Sequence, residues 1–160
     1  MRLNNSKNAS FFYVLNSVVM LILFWGIAFF VFKHYRIHFF GWKSILLISV
    51  PVLFALVLLI RGRQIFEYDS DGEALNFRNR NIVSFLNKPL RDEFPKYKLL
   101  KFDIVNALIF KQLYITISSK KNKLIILKYD VSYLNRKELK DLKFSLSKVI
   151  KANQEREKNS

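Results

Sequence analysis

The sequence predicts an α+β membrane protein. An N-terminal transmembrane helical hairpin leads into a small antiparallel β-domain closed by one C-terminal helix. Three observations carry this expectation. Two long uncharged apolar runs fill most of the first 60 residues. Alternating apolar and polar residues, punctuated by tight-turn sequences, come next. Near the end, the spacing of the leucines changes from strand-like to helical. Composition sets the limits: 51% of the 160 residues are hydrophobic, too many for a disordered chain. Four Gly and 3 Pro exclude low-complexity and collagen-like classes, and zero Cys excludes disulfides, thiolate catalysis and Cys-ligated metal sites.

The first apolar run, Phe11 to Phe32, carries no charge and is interrupted only by Asn16 and Ser17. As a helix it would span roughly 33 Å, enough for a hydrocarbon core of about 30 Å. The second run, Ile45 to Ile60, reaches spanning length once Phe39 to Trp42 are added and Lys43 snorkels. Pro51 sits in its middle, which a membrane helix tolerates as a kink. The expected helices cover about 11–32 and 41–60, within a hairpin of residues 1–62. Two buried soluble helices are disfavoured, because a chain this short has little core to hide them in. A signal peptide is disfavoured by the length of the first run and by the absence of a small-residue cleavage site after it.

Orientation follows from the flanking cations. Arg2, Lys7, Arg61, Arg63, Arg78 and Arg80 make 2 + 4 = 6 on the flanks, against Lys33, Arg36 and Lys43, 3 in the connecting loop. Both termini are therefore expected on the cytoplasmic side of the membrane. His34 and His38 share a helical spacing that suits a metal, but no acid or Cys lies near to complete a ligand set.

Residues 61–160 hold all 12 acids and 22 of the 27 basic residues, 22 − 12 = +10. Gln64, Phe66 and Tyr68 alternate with Ile65, Glu67 and Asp69 before the turn Ser70-Asp71-Gly72-Glu73, and Leu75 and Phe77 return. A short strand is expected at Ile82 to Leu86, and a loop at Asn87 to Pro95, with its two Pro and its charges Arg91, Asp92 and Glu93. Whether Leu99 to Phe110 is one strand or two stays open. Leu113, Ile115 and Ile117 alternate along a further strand, Lys120-Lys121-Asn122 makes a turn, and Lys123 to Tyr129 returns. Asn135 with Glu138 forms a capping pattern, after which Leu139, Leu142, Leu146, Val149 and Ile150 recur at helical spacing to about Ala152. Residues 153–160 read as a polar, frayed tail.

A meander of strands capped by one C-terminal helix is the layout of pleckstrin-homology-like (PH-like) barrels. Three segments resemble the bacterial PH-like family: FEYDSDGEALNFRN as an opening hairpin, LLKFDIVNALI as a central segment, and LIILKYDVSYLNRKELKDLKFSL as an ending. The resemblance covers about residues 61 to 152, plus the helical hairpin, and makes 63–152 a PH-like domain. It implies binding or scaffolding rather than catalysis. Some PH domains hold phosphoinositides through a Lys near the end of the first strand and an Arg-x-Arg followed by apolar residues. Arg78-Asn79-Arg80-Asn81-Ile82-Val83 matches the second part, but Gln64 to Ser70 has no Lys and the turn is acidic through Asp71 and Glu73.

The expected function is a membrane-anchored interaction or scaffolding module that meets a protein or peptide by strand addition. The alternative is recognition of anionic lipid headgroups. The residues singled out for that role are Arg61, Arg63, Arg78, Arg80, Lys120, Lys121 and Lys123, each adding about 1 kcal/mol near an anionic surface. Lys96, Lys98, Lys101 and Lys111 extend the basic set. Nucleic-acid binding is disfavoured by the anchor and the mixed charges. An enzyme is not expected, and no cofactor is implied, because no phosphate loop, nucleophile elbow or metal cluster is visible. Asp69, Asp71 and Glu73 do not make a calcium loop, since Arg80 stands where the twelfth-position Glu is needed.

Overall fold

The computed structural model describes residues 1–36, 42–82, 88–108, 110–119 and 124–159. It contains two compact units: Ser10–Ile60, and Met1–Ala9 together with Arg61–Ser160.

The first unit is helical. Helix α1 (Ala9–Arg36) is apolar on every side, and Phe11, Leu21, Phe24, Trp25 and Phe32 are all exposed. A helix without a polar face does not rest on a small soluble core. Helix α2 (Trp42–Ile60) carries Pro51 inside it. Among the described residues one helical stretch, Ser6–Phe32, is long and apolar enough to cross a membrane, whereas Ser49–Ile60 is a shorter apolar helix. The structure thus gives one membrane candidate where the sequence predicts two. The described apolar stretch in α2, Ser49–Ile60, spans only roughly 18 Å as a helix, short of a hydrocarbon core of about 30 Å.

Among the described residues, the second unit has seven antiparallel strands. Strands β1 (Arg2–Asn4), β2 (Ile65–Asp69), β3 (Ala74–Arg80) and β4 (Leu90–Pro95) form one sheet in the order β1-β2-β3-β4. Strands β5 (Leu99–Asn106), β6 (Lys111–Ser118) and β7 (Leu124–Asp130) form a second sheet in sequence order. The expected closed barrel is not formed, because no ladder joins the two sheets among the described residues. Pro95 has no N–H to extend the β4 ladder, and a 3-10 turn at Lys96–Lys98 carries the chain into the second sheet.

Three further expectations are corrected. Arg2 to Asn4, read as a mere flank, pair with Asp69 to Glu67. Leu90–Pro95, read as loop, is an edge strand along β3, with Phe94 facing in and Arg91 and Glu93 facing out. An edge tolerates this proline and these charges. Helix α3 (Arg136–Lys158) runs through the supposed frayed tail, because the Asn153 amide donates to the carbonyls of Lys96 and Leu99. Leu99 to Asn106 is one strand, which closes the open question there. The strand expected at Ile82 to Leu86 lies, beyond Ile82, outside the described residues.

The core lies between the sheets and α3. Phe77 is stacked between Phe94 at 5.6 Å and Tyr129 at 5.0 Å, with Phe66 and Tyr68 beside it. Leu113 and Ile115 approach from β6, and Leu142 and Leu146 from α3. Two side-chain links do what a ladder would have done. The buried Asn79 amide bonds the main chain of Asp130, and the Tyr129 hydroxyl donates to Asp92 at 2.8 Å.

Candidate functional site

The four arginines singled out from the sequence do not converge on one anion site. Arg78 and Arg80 leave β3 on its outer face, and both approach Glu67 on β2, at 3.9 and 3.7 Å. Pairs this exposed contribute at most about 1 kcal/mol each, but they offset the positive charge expected to attract a headgroup. Arg63 holds the Asp130 carboxylate at 3.1 Å and donates to the Lys88 carbonyl. Arg61 lies over the Tyr133 ring, 4.6 Å from its centroid, and donates to the Ser132 carbonyl. Lys120, Lys121 and Lys123 lie outside the described residues, as does His38.

The residues around Gly62 form a half-buried polar knot. Gly62 has φ +76°, and a Cβ there would lie 2.5 Å from Cγ of Asp130. Asp130 accepts from the main-chain N–H of Arg63 and from its guanidinium. On the other side its main chain is bound by Asn79. Asn5 ties the N-terminal segment to the same place, donating to the Gln64 carbonyl and accepting from the Phe66 N–H. Sequence reasoning missed Asn5 and Asn79, because nothing local distinguishes a buried, fully bonded Asn from a surface one.

At the far end of the first sheet, a groove of about 480 Å³ runs between α3 and the β2–β3 turn. That volume accommodates a few side chains of a partner. Phe144 stands on its rim, 74% exposed, an unusual position for so large a ring on a helix whose other face builds the core. Lys96, Lys148 and Arg156 line the groove against a single acid, Glu73. The floor is fixed by the Tyr68 hydroxyl, 2.9 Å from the Ser145 hydroxyl, with Ser70 at 3.4 Å from the same oxygen. Burial pushes the Tyr68 hydroxyl above its ordinary range, opposed by its bonds to the two serines. It therefore stays a neutral hydroxyl. Phe144 was legible as part of a helix, but its exposure depends on which face α3 buries.

The acidic turn itself is a structural turn. The Asp69 carboxylate accepts from the Asp71 N–H, and both acids pair with Arg2, at 3.0 and 3.2 Å. Gly72 supplies the positive φ of +74° that the Asp-Gly pair predicts. Compared with known proteins, the chain matches no family model, no curated protein and no solved structure.

Proposed function

We propose that the chain is a membrane-anchored interaction module. Its apolar helices form a transmembrane hairpin, its β-domain is PH-like and stands on the cytoplasmic face, and the groove beside α3 takes a segment of a partner protein. The pairing of β1 with β2 carries this reading. β1 precedes α1 and β2 follows α2, and their pairing supports a reading in which both ends of the helical segment emerge in one compartment. If α1 crosses a bilayer, the chain has to return before Arg61, and α2 is the helix available for it. Cleavage after α1, as for a signal sequence, would remove β1 from its own sheet. The excess of flanking cations supports a cytoplasmic domain.

Two packed antiparallel sheets with a C-terminal helix on their core support the PH-like reading. The groove's chemistry is that of recognition: an exposed aromatic ring and three cations suit a segment that combines acidic and apolar residues. The headgroup reading draws less support, since Arg61, Arg63, Arg78 and Arg80 are engaged within the domain.

The absence of Cys makes single-Cys mapping direct. With the full chain in cells, His38→Cys is expected to react with a membrane-impermeant maleimide from outside, and Lys158→Cys only after permeabilisation. Equal reaction of both in intact cells removes the hairpin. A photoreactive amino acid at Phe144 is expected to yield a protein adduct that the same group at Lys151 does not. Failure of Phe144 to yield any adduct distinct from Lys151 removes the groove as the binding surface.

A further inference from the structure

The hairpin joining β5 to β6 is anomalous. Asn106 pairs with Lys111, and the Ala107 N–H donates to the Phe110 carbonyl at 2.9 Å, which leaves Leu108 at the tip. Turns this tight are ordinarily made by Gly, Asn or Asp, for which positive φ and solvent are both acceptable. Here the sequence is Ala107-Leu108-Ile109-Phe110, with no polar residue. Leu108 is 105% exposed and Val105 48%, and Ala107 is exposed as well. An apolar tip gains nothing from water, so its partner is an apolar phase or surface.

The position of the tip names that partner. Lys111, at the base of the hairpin, accepts at its carbonyl from the Val131 N–H and donates its own N–H to the Ser132 hydroxyl. The Ser132 carbonyl is in turn bound by Arg61, the first residue after α2. Gly62 and Arg63 follow against Asp130. The other connection to the helices leaves from this end too, where Asn5 is held beside Gln64 and Phe66. Both covalent routes to the apolar helices therefore depart from the end of the domain that carries the tip. Lys111 and the exposed Lys88 add positive charge at this end, while Arg61 and Arg63 are held by Tyr133, Ser132 and Asp130. An apolar point beside two cations matches the layering of a membrane interface, where acyl chains lie beneath anionic headgroups.

We propose that the β5–β6 tip is a membrane-inserting finger. Leu108 enters the interfacial zone of the bilayer that holds the chain's own helices. This rests on the membrane-anchored reading, and the test separates the two.

The full chain, as Leu108→Cys or Ala107→Cys, is labelled with a polarity-sensitive fluorophore. It is then reconstituted into vesicles of phosphatidylcholine and phosphatidylglycerol with and without lipid-borne quenchers. Glu73→Cys, on the turn at the opposite end of the first sheet, serves as the reference. Both tip positions are solvent-exposed, so the substitutions leave the core intact. The expected result is a blue shift and lipid-dependent quenching at 108 and 107, with an aqueous spectrum at 73. Trp25 and Trp42, the two Trp of the chain, report independently on the helices through brominated lipids. Quenched Trp with an aqueous probe at both 108 and 107 overturns the finger and leaves the anchor standing. Unquenched Trp overturns both.

Discussion

The side-chain amide of Asn79 pairs with the main chain of Asp130 as another strand would, accepting from its N–H at 2.8 Å and donating to its carbonyl at 3.0 Å. The same nitrogen also donates to the Ile65 carbonyl at 3.1 Å. One buried side chain thus links β2, β3 and β7, and joins two sheets that share no ladder among the described residues.

Asn79→Leu is expected to destabilise the domain by about 2–4 kcal/mol, because it strands buried main-chain groups on both sheets at about 1–3 kcal/mol each. Asn79→Asp keeps the acceptor but sets a carboxylate against two carbonyls, and is expected to cost at least as much. Urea unfolding of the full chain in detergent, followed by near-UV circular dichroism, measures both. A loss below about 0.5 kcal/mol for either variant contradicts the linking role.

The two glycines with positive φ should respond differently. At Gly62 a methyl group meets the Asp130 carboxylate, which Arg63 holds in place, so Gly62→Ala carries steric conflict on top of backbone strain. At Gly72 nothing lies within 4 Å, and Gly72→Ala carries the strain alone, about 1–2 kcal/mol. The prediction is a clearly larger loss of thermal stability at position 62. Equal losses would show that Asp130 gives way without cost.

Helix α3 begins with a reciprocal cap: the Asn135 side chain accepts from the Glu138 N–H, and Glu138 accepts from the Asn135 N–H. Asn135→Ala is expected to cost about 1 kcal/mol and Asn135→Ser much less. Hydrogen exchange at the first turn of α3 should accelerate in the Ala variant alone.

Alkaline pH should unfold the domain through its buried tyrosines. Burial raises the hydroxyls of Tyr68, Tyr129 and Tyr133 above the ordinary tyrosine value, and at Tyr129 the bond to Asp92 and its charge push further in the same direction. The folded state holds these protons more tightly than the unfolded chain. Their contribution is therefore complete below about pH 10 and is lost as pH rises through the folded values. Tm is expected to fall above about pH 10. In Tyr129→Phe the fall should be shallower, from a starting stability about 1 kcal/mol lower. An unchanged slope in that variant would remove Tyr129 from the account.

Local patterns in the sequence survived where local physics decides them. The Asp71-Gly72 turn, the alternation of β6 and the Asn135–Glu138 cap are all where spacing puts them. What failed depended on distant partners. β1 is too short to show a period, and it is ordered by β2 across the helical unit. The charges of Leu90–Pro95 read as loop because nothing nearby shows that Tyr129 satisfies Asp92. Arg78 and Arg80 read as free cations until the fold sets Glu67 between them. The groove draws on the β2–β3 turn, Lys96 and α3, three segments that no spacing connects.

The pairing of Leu3 with Tyr68 has a consequence for how the protein is made. The partners are 68 − 3 = 65 positions apart, with both apolar helices between them. The sheet cannot be completed during early synthesis, since β2 leaves the ribosome only after the second helix. If the helices enter a bilayer, a chain whose second helix fails to return strands β1 in the opposite compartment. β2 is then left with a bare edge, and the buried site of Leu3 stands open. The first sheet is thus complete only when the segments on both sides of the helical unit have met.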